Sequence, residues 1–411
     1  MSAGAERRRF GVLFLAFGLL AGSAQAGVRQ AWVQYGAAGT PEVRVVVDDA
    51  VCPTLTVDGQ PLATAERRAP DSAFPVRVCA VGVPGGARSL SVGSLTLPVP
   101  VGQPKRIVVI GDTGCRIKGL VLQACNDARE WPFAKVAEQA AREHPDLVIH
   151  VGDYLYRESA CPPGVAGCKD SPWGDNATTW EADFFQPAAP LLKAAVWLAE
   201  RGNHEECARA GRGWTAYLGR DPVSAPCSPA DRPLLADVGG LRIGVLDDND
   251  AADGDAKEAL VTRLRGDVEA LLAAKPDWVV THHPWRGVVS THLVGNTNLD
   301  RAAAGLPEDS VGLLLSGHIH NFQAINFVGD GPPQLVVGEG GDKLDTGIPA
   351  TLTGLKMPDA TIKDGLSLGG FGYVVMTRLD KGWAIEAHSV DGALLKRCRL
   401  TDRVIACGDT P

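Results

Sequence analysis

Five short polar blocks interrupt this chain, each directly after an apolar run. They are Gly111-Asp112-Thr113-Gly114, Gly152-Asp153-Tyr154-Leu155-Tyr156, Gly202-Asn203-His204-Glu205, His282-His283-Pro284-Trp285 and Gly317-His318-Ile319-His320. A short apolar run that ends in Gly or a polar group has the profile of a buried strand entering its loop. Ligands of open α/β sheets gather outside the carboxyl ends of the strands, so five such blocks can converge on one crevice. Six of the nine histidines lie in or near the blocks, which chance scattering does not produce.

The intervening segments support an α/β reading. Arg106 to Ile110 reads as a buried strand, and Trp131 to His144 as a helix opened by Pro132, with Phe133, Val136, Ala137 and Ala140 on one face. Strands follow at Asp146 to Val151, Ala195 to Ala199, Leu241 to Leu246, Trp278 to Thr281 and Val311 to Leu315, with a helix over Ala256 to Ala274. Runs at Gln334 to Val337, Tyr373 to Thr377 and Trp383 to Ala387 lack helical periods and predict antiparallel strands that finish a second sheet. Gly- and Pro-rich stretches at 157–183, 205–233 and 286–310 are too long to be plain connections, and two Cys pairs inside them favour order.

Before this region, Gly27 to about Pro104 shows short alternating runs such as Val43 to Val47 and Leu90 to Val92 between Gly, Pro and Asp turns, the signature of a small β-sandwich. Residues 1–26 read as an export signal: Arg7 to Arg9, an apolar run from Phe10 to Gly22 too short to span a bilayer comfortably, and the small-x-small site Ala24-Gln25-Ala26. No later stretch is apolar enough for a membrane span. The expected organisation is a signal peptide at 1–26, a β-sandwich domain at 27–104 and a second domain at 105–411, in the periplasm or secreted.

Export also governs the cysteines. All ten follow the signal, and an even count in an exported chain reads as a disulfide set, paired between neighbours: 52 to 79, 115 to 125, 161 to 168, 207 to 227 and 398 to 407. A Cys-based metal site is disfavoured, since no C-x-x-C pair is present. The net charge of −8 offers no general attraction to phosphate backbones or anionic lipid, so nucleic-acid coating is not expected.

The residue types in the blocks point to metal. Asp, Asn, Tyr and His offer hard oxygen and imidazole donors, which suit Fe, Zn or Mn. A carboxylate such as Asp153 can bridge two cations at roughly 3.5–4 Å, the spacing of two-metal hydrolases. In order, the blocks GDxG, GDxxY, GNHE, VxxH and GHxH resemble the calcineurin-like metallophosphoesterases, and within them the purple acid phosphatase branch. The matching stretches are Gly111 to Gly114, Gly152 to Tyr156, Gly202 to Glu205, Val279 to His282 and Gly317 to His320. The wider superfamily has Asp-x-His in the first block. Here Gly114 replaces that His and Tyr156 follows the second Asp by three residues.

The resemblance implies a layered α-β-β-α sandwich with mixed sheets behind the β-sandwich domain. It implies a first metal held by Asp112, Tyr156 and His320, Asp153 as the bridge, and a second metal held by Asn203, His282 and His318. Iron is implied at the Tyr156 site and Fe, Zn or Mn at the other. The implied activity is acid phosphatase-like hydrolysis of small phosphomonoesters by a metal-bound hydroxide. His204 is implied to contact the substrate phosphate and protonate the leaving oxygen. His292 is either a further substrate histidine or an exposed loop residue. His283 departs from the branch pattern, but the spacing from Val279 and to Pro284-Trp285 favours His282 as ligand.

The same ligands also suit a phosphodiesterase or nucleotidase, because they specify the reaction centre and not the ester. A surface binding protein in which the β domain does the work is the reading of another class; the complete set of seven ligands stands against it. Oligomeric state is open. Among other candidates, His144 and His150 read as structural, Glu205 as orienting His204 or as a solvated carboxylate, and Trp285 and Arg286 as pocket lining or packing. Asp247, Asp248 and Asp250 read as a solvated turn, Gly338 to Gly341 as a tight turn, and Asn176-Ala177-Thr178 as a glycosylation acceptor in form only.

Overall fold

The computed structural model describes residues 1, 27–223, 227–252, 254–290, 292–356 and 360–408, without the side chains of 292–294. The expected export signal, Met1 apart, lies outside them. Among the described residues, no helix is long and apolar enough to cross a membrane.

Two mixed sheets face each other. One has eleven strands and the other seven. In the first, Arg106–Ile110, Leu147–His150 and Val196–Ala199 run parallel with aligned ends, His150 level with both Ile110 and Ala199. In the second, Leu241–Val245, Trp278–Val280, Leu313–Ser316 and Gln334–Val337 are likewise parallel.

Alternation along each strand builds the layers, because successive side chains leave opposite faces. Ile107, Val109, Leu147, Ile149, Val196 and Leu198 meet Ile243, Val245, Val280, Leu313 and Leu315 between the sheets. Val108, Ile110, Val148 and Trp197 point outward beneath the helices Phe133–Arg142 and Gln186–Ala194. Val279 and Leu314 do the same under Glu258–Ala273 and Thr297–Ala303. Phe133, Val136, Ala137 and Ala140 are the buried face of their helix, as the spacing predicts. Full burial of each large apolar side chain contributes roughly 1.5–3 kcal/mol. The result is the layered α-β-β-α sandwich.

The N-terminal region is all β, and its sandwich is fused to the main body. Strands Val28–Tyr35, Pro41–Val47, Arg77–Gly82 and Ala65–Arg68 extend the first sheet, since Val28–Tyr35 runs parallel to Val196–Ala199. A four-stranded sheet, Gln60–Ala63, Thr54–Val57, Leu90–Val92 and Leu95–Leu97, covers that extension, with Leu55, Leu90, Val92 and Leu97 packed on Val33, Val43 and Val45. The sheet therefore crosses residue 104 without a break.

One expectation on topology is corrected. Of the C-terminal strands among the described residues, Phe322–Phe327, Gln334–Val337 and Ile362–Leu368 complete the second sheet; Gly372–Arg378, Trp383–Ser389, Leu394–Thr401 and Val404–Cys407 return to the first. Val374, Met376 and Ile385 carry apolar side chains into the space between the sheets, and Gly372–Arg378 pairs antiparallel with Arg106–Ile110. Periodicity predicts a strand but not its neighbour. The five disulfides pair as expected, 52–79, 115–125, 161–168, 207–227 and 398–407.

Candidate metal centre

The five blocks do meet at one edge of the sandwich, where the parallel strands end. Asp112, Asp153 and His318 turn the chain there with φ of 53°, 60° and 66°. This left-handed conformation costs non-glycine residues about 1–3 kcal/mol each and collects at functional sites. It is held by bonds between blocks: Asp112 N–H donates to the Gly152 carbonyl, Thr113 N–H to the Asp153 carbonyl, and His318 N–H to the Asp112 carboxylate at 3.0 Å.

Two donor groups share one carboxylate. On one side the Tyr156 hydroxyl lies 2.7 Å from Asp153 Oδ2, 3.0 Å from Asp112 Oδ1 and 3.1 Å from His320 Nε2. On the other, His282 Nε2 lies 3.2 Å from the same Asp153 Oδ2 and 3.0 Å from Asn203 Oδ1. Asp153, His282 and His318 present ligand atoms within 4.8 Å of one another. The imidazoles are aimed from behind: His282 Nδ1 lies 2.9 Å from the Val151 carbonyl and His320 Nδ1 2.7 Å from that of Lys343. Each can donate its Nδ1 proton there and keep the Nε2 lone pair facing the site.

These residues fit a cation pair. Asn203 Oδ1 and Asp153 Oδ2 sit 3.1 Å apart, acceptor against acceptor, which either a rotated amide or a cation resolves. Burial, Asp112 and Asp153 push the Tyr156 phenol well above its ordinary pKa, so its ionisation as a ligand requires a highly charged neighbour. Burial opposes charge on His282, but Asp153, Asp112 and Asp248 outweigh it and hold the imidazole well above its usual range.

Gly114 explains the departure in the first block. A side chain there would meet the Tyr156 ring at 2.9 Å and the Tyr154 carbonyl at 2.7 Å. The tyrosine fills the room that a histidine at 114 would need.

His204 stands at the cleft beside these groups. Its N–H donates to Asp153 Oδ1 at 2.8 Å, its ring lies on Tyr156 with centroids 3.7 Å apart, and its Nδ1 is 2.8 Å from Glu158. Burial pushes its pKa down to about 4, against the pull of Asp153 and Glu158. Glu158 also pairs with Arg209. Although burial works against ionisation, His204 and Arg209 bring Glu158 down to about 2. With an unfolded pKa near 4.5, the stability from this carboxylate is complete above that value and is lost as the pH falls toward 2. Thermal midpoints between pH 5 and pH 3 should therefore fall less for Glu158→Gln than for the wild type; equal slopes would show that Glu158 is not held ionised.

His292 begins the strand His292–Gly295, and its side chain lies outside the described residues. His283 is no partner of the donor set: its N–H and Nδ1 face Asp248 Oδ2 at 3.0 and 3.2 Å, and its ring packs on His318.

Of the other expectations, those for Asp247, Asp248 and Glu205 are corrected. Asp247 and Asp248 are buried rather than solvated, and Asp248 Oδ1 accepts the His282 N–H at 2.8 Å. Asp250 pairs with Arg263 at the surface of the neighbouring helix. Glu205 neither orients His204 nor meets solvent: it accepts the N–H groups of Tyr154, Leu155 and Gly202 and so joins the second block to the third. Trp285 is core and Arg286 pairs with Asp300, so neither lines the cleft. Asn176 caps a helix by accepting the Thr179 N–H. The Gly338–Gly341 stretch lies along the first block, Gly340 N–H donating to Gly111. His150 is structural, stacked on Tyr154, and His144 is exposed.

Sequence reasoning misread Asp248 as part of a solvated turn although its signal was present, since Leu241 to Leu246 followed by Asp247-Asp248-Asn249 repeats the strand-then-polar pattern. It also missed Asp183, which accepts the N–H groups of Cys115 and Tyr156 and pairs with Arg157, because the Gly- and Pro-rich stretch before it reads as loop while Asp183 sits in the helical segment Glu181–Phe185. The cleft above the donors has a volume of about 450 Å³ and is lined by Arg116, Lys118, Arg209 and Lys343 besides the histidines.

A family model described as calcineurin-like phosphoesterase matches residues 105–322. The fold is similar to that of the purple acid phosphatase isolated from yellow lupin (Lupinus luteus) seeds, with a TM-score of 0.60 at 14% identity over 94% of this chain and 78% of that one. It is also similar to that of PhoD, with a TM-score of 0.51 at 11% identity over 93% and 92% of the two chains. No curated sequence matches this chain.

Proposed function

The chain belongs to the calcineurin-like phosphoesterase family, and on that premise we propose that this metal-dependent phosphoester hydrolase is an exported dinuclear phosphatase acting on small phosphomonoesters. The observation that carries the reading is the position of Asp153 Oδ2, 2.7 Å from the Tyr156 hydroxyl and 3.2 Å from His282 Nε2. Asp112, Tyr156 and His320 would hold one metal, Asn203, His282 and His318 the other, and Asp153 both. An anionic tyrosine oxygen suits ferric iron, with Fe, Zn or Mn beside it. When bound, the pair supplies Lewis acidity toward phosphoryl oxygens and lowers the pKa of coordinated water.

The chain's own groups supply the rest. Glu158 lies 2.8 Å from His204 Nδ1 and would pair with the imidazolium form of that ring, whose Nε2 would then hand its proton to the leaving oxygen. Arg209 and Arg116 at the cleft provide fixed positive charge for a phosphate. Glu158 stays ionised in acid, in keeping with action at acidic pH. Five disulfides favour an oxidising compartment, periplasmic or extracellular.

The test is elemental analysis of protein purified without chelator, followed by rates on 4-nitrophenyl phosphate and bis(4-nitrophenyl) phosphate. Two ions with one iron, and a faster monoester, are expected. Diester cleavage faster by hundreds-fold would move the protein to the phosphodiesterases, and full metal loading with no turnover would favour a binding protein. Tyr156→Phe should remove a visible absorption band without abolishing hydrolysis; an unchanged band would take Tyr156 out of the iron site. His204→Ala should lower kcat by about 10²-fold with both metals retained, and loss of metal would show that its role is structural.

A further inference from the structure

We propose that the substrate's leaving group carries a second anionic group, held at the mouth of the cleft by Lys118 and Lys343. The inference rests on the phosphomonoesterase reading and names its substrate class. The cleft of about 450 Å³ has the size of a site for a whole small molecule, with room beyond a single phosphate. Its charge runs against that of the chain. The net charge is −8, yet among the described residues four cations line this cleft against two carboxylates, Asp153 and Asp345.

Two of the cations are committed. Arg116 pairs with the buried Asp342 and lies over the Tyr156 ring, and Arg209 pairs with Glu158 and donates to the Asn203 carbonyl. The lysines are not so spent. Lys118 reaches Glu158 only at 3.5 Å with its side chain 51% exposed, a loose pair that an incoming anion can replace. Lys343 is exposed and makes no ion pair among the described residues, while its carbonyl accepts from His320 Nδ1, so its backbone is fixed to the donor set.

The mount of Lys118 is stiff. It sits on the hairpin Ile117–Lys118 and Val121–Leu122, anchored by the Cys115–Cys125 disulfide and by the Glu158 and Ser159 N–H groups on the Ile117 carbonyl. Lys118 and Val121 are a cross-strand pair, so they share a face, and both line the cleft. Val121 and Leu344 give the carbon skeleton an apolar wall beside the charges.

The experiment compares kcat/KM of the metal-loaded enzyme on fructose 1-phosphate and fructose 1,6-bisphosphate, whose leaving groups are alike in basicity. The bisphosphate should be preferred by about tenfold or more, mainly through KM, and the preference should shrink at about 0.5 M salt. Lys118→Ala/Lys343→Ala should lose most of that ratio, and Lys118→Arg/Lys343→Arg, which keeps the charges, should retain it. Turnover of fructose 1-phosphate with a wild-type ratio near one, or a ratio unmoved in the double alanine variant, overturns this proposal alone. Turnover of neither ester overturns the phosphomonoesterase reading and this proposal with it.

Discussion

Asp153→Asn is expected to lower phosphomonoester turnover by at least about 10³-fold, roughly 4 kcal/mol of transition-state stabilisation. The side chain is fully engaged. Oδ1 accepts the His204 N–H at 2.8 Å, while Oδ2 faces Tyr156 and His282. An amide keeps the shape but has one oxygen for these two tasks. Turned one way, its NH₂ opposes the His204 N–H; turned the other, it offers protons where cations would be shared. The loss of charge matters as much, since His282 and His204 together hold the Asp153 carboxyl well below its usual range despite burial. Elemental analysis should show fewer than two ions per chain, with far-UV circular dichroism unchanged. Two bound ions and a rate within tenfold of wild type would refute the bridging role.

Gly202→Ala is expected to have the next largest effect, and it changes no ligand. A Cβ at 202 would stand 2.0 Å from Asp153 Oδ1 and 2.2 Å from the Asp153 backbone nitrogen. Backbone cannot give way as a flexible side-chain end can, so the second and third blocks must part. Overpacking of this kind costs about 1–3 kcal/mol, and a displacement near 1 Å at a reacting centre can cost about 10²-fold in rate. The Glu205 carboxylate, which joins the same two blocks, would be stretched as well. The measurement is kcat together with the thermal midpoint. A fall in both is expected, and an unchanged kcat would mean that the contact between Asp153 and Gly202 is not needed for the reaction.

The five polar blocks that meet at the site were legible because strand ends carry a strong local signal. Apolar runs such as Arg106 to Ile110 stop abruptly at glycine and a polar group, and that pattern survives without knowledge of partners. The supporting groups were less legible in proportion to their distance from such an end. Asp248 follows a strand and had the pattern; Asp183 lies in the helical segment Glu181–Phe185, far from any strand end, and had none. Glu205 shows the limit differently. Its position beside His204 suggested service to that residue, whereas its carboxylate turns back to the Tyr154 and Leu155 N–H groups.

Residue order alone carries the α/β alternation, the five polar blocks and the neighbouring cysteine pairs, because each depends on period, local chain reversal or short separation. Tertiary structure alone decided that strands after Gly372 return to the first sheet, that the N-terminal strands extend it past residue 104, and that Asp153 stands between two donor groups. These are relations between segments far apart along the chain. Which apolar faces meet is settled by burying all of them together, and no stretch of residues carries that information alone.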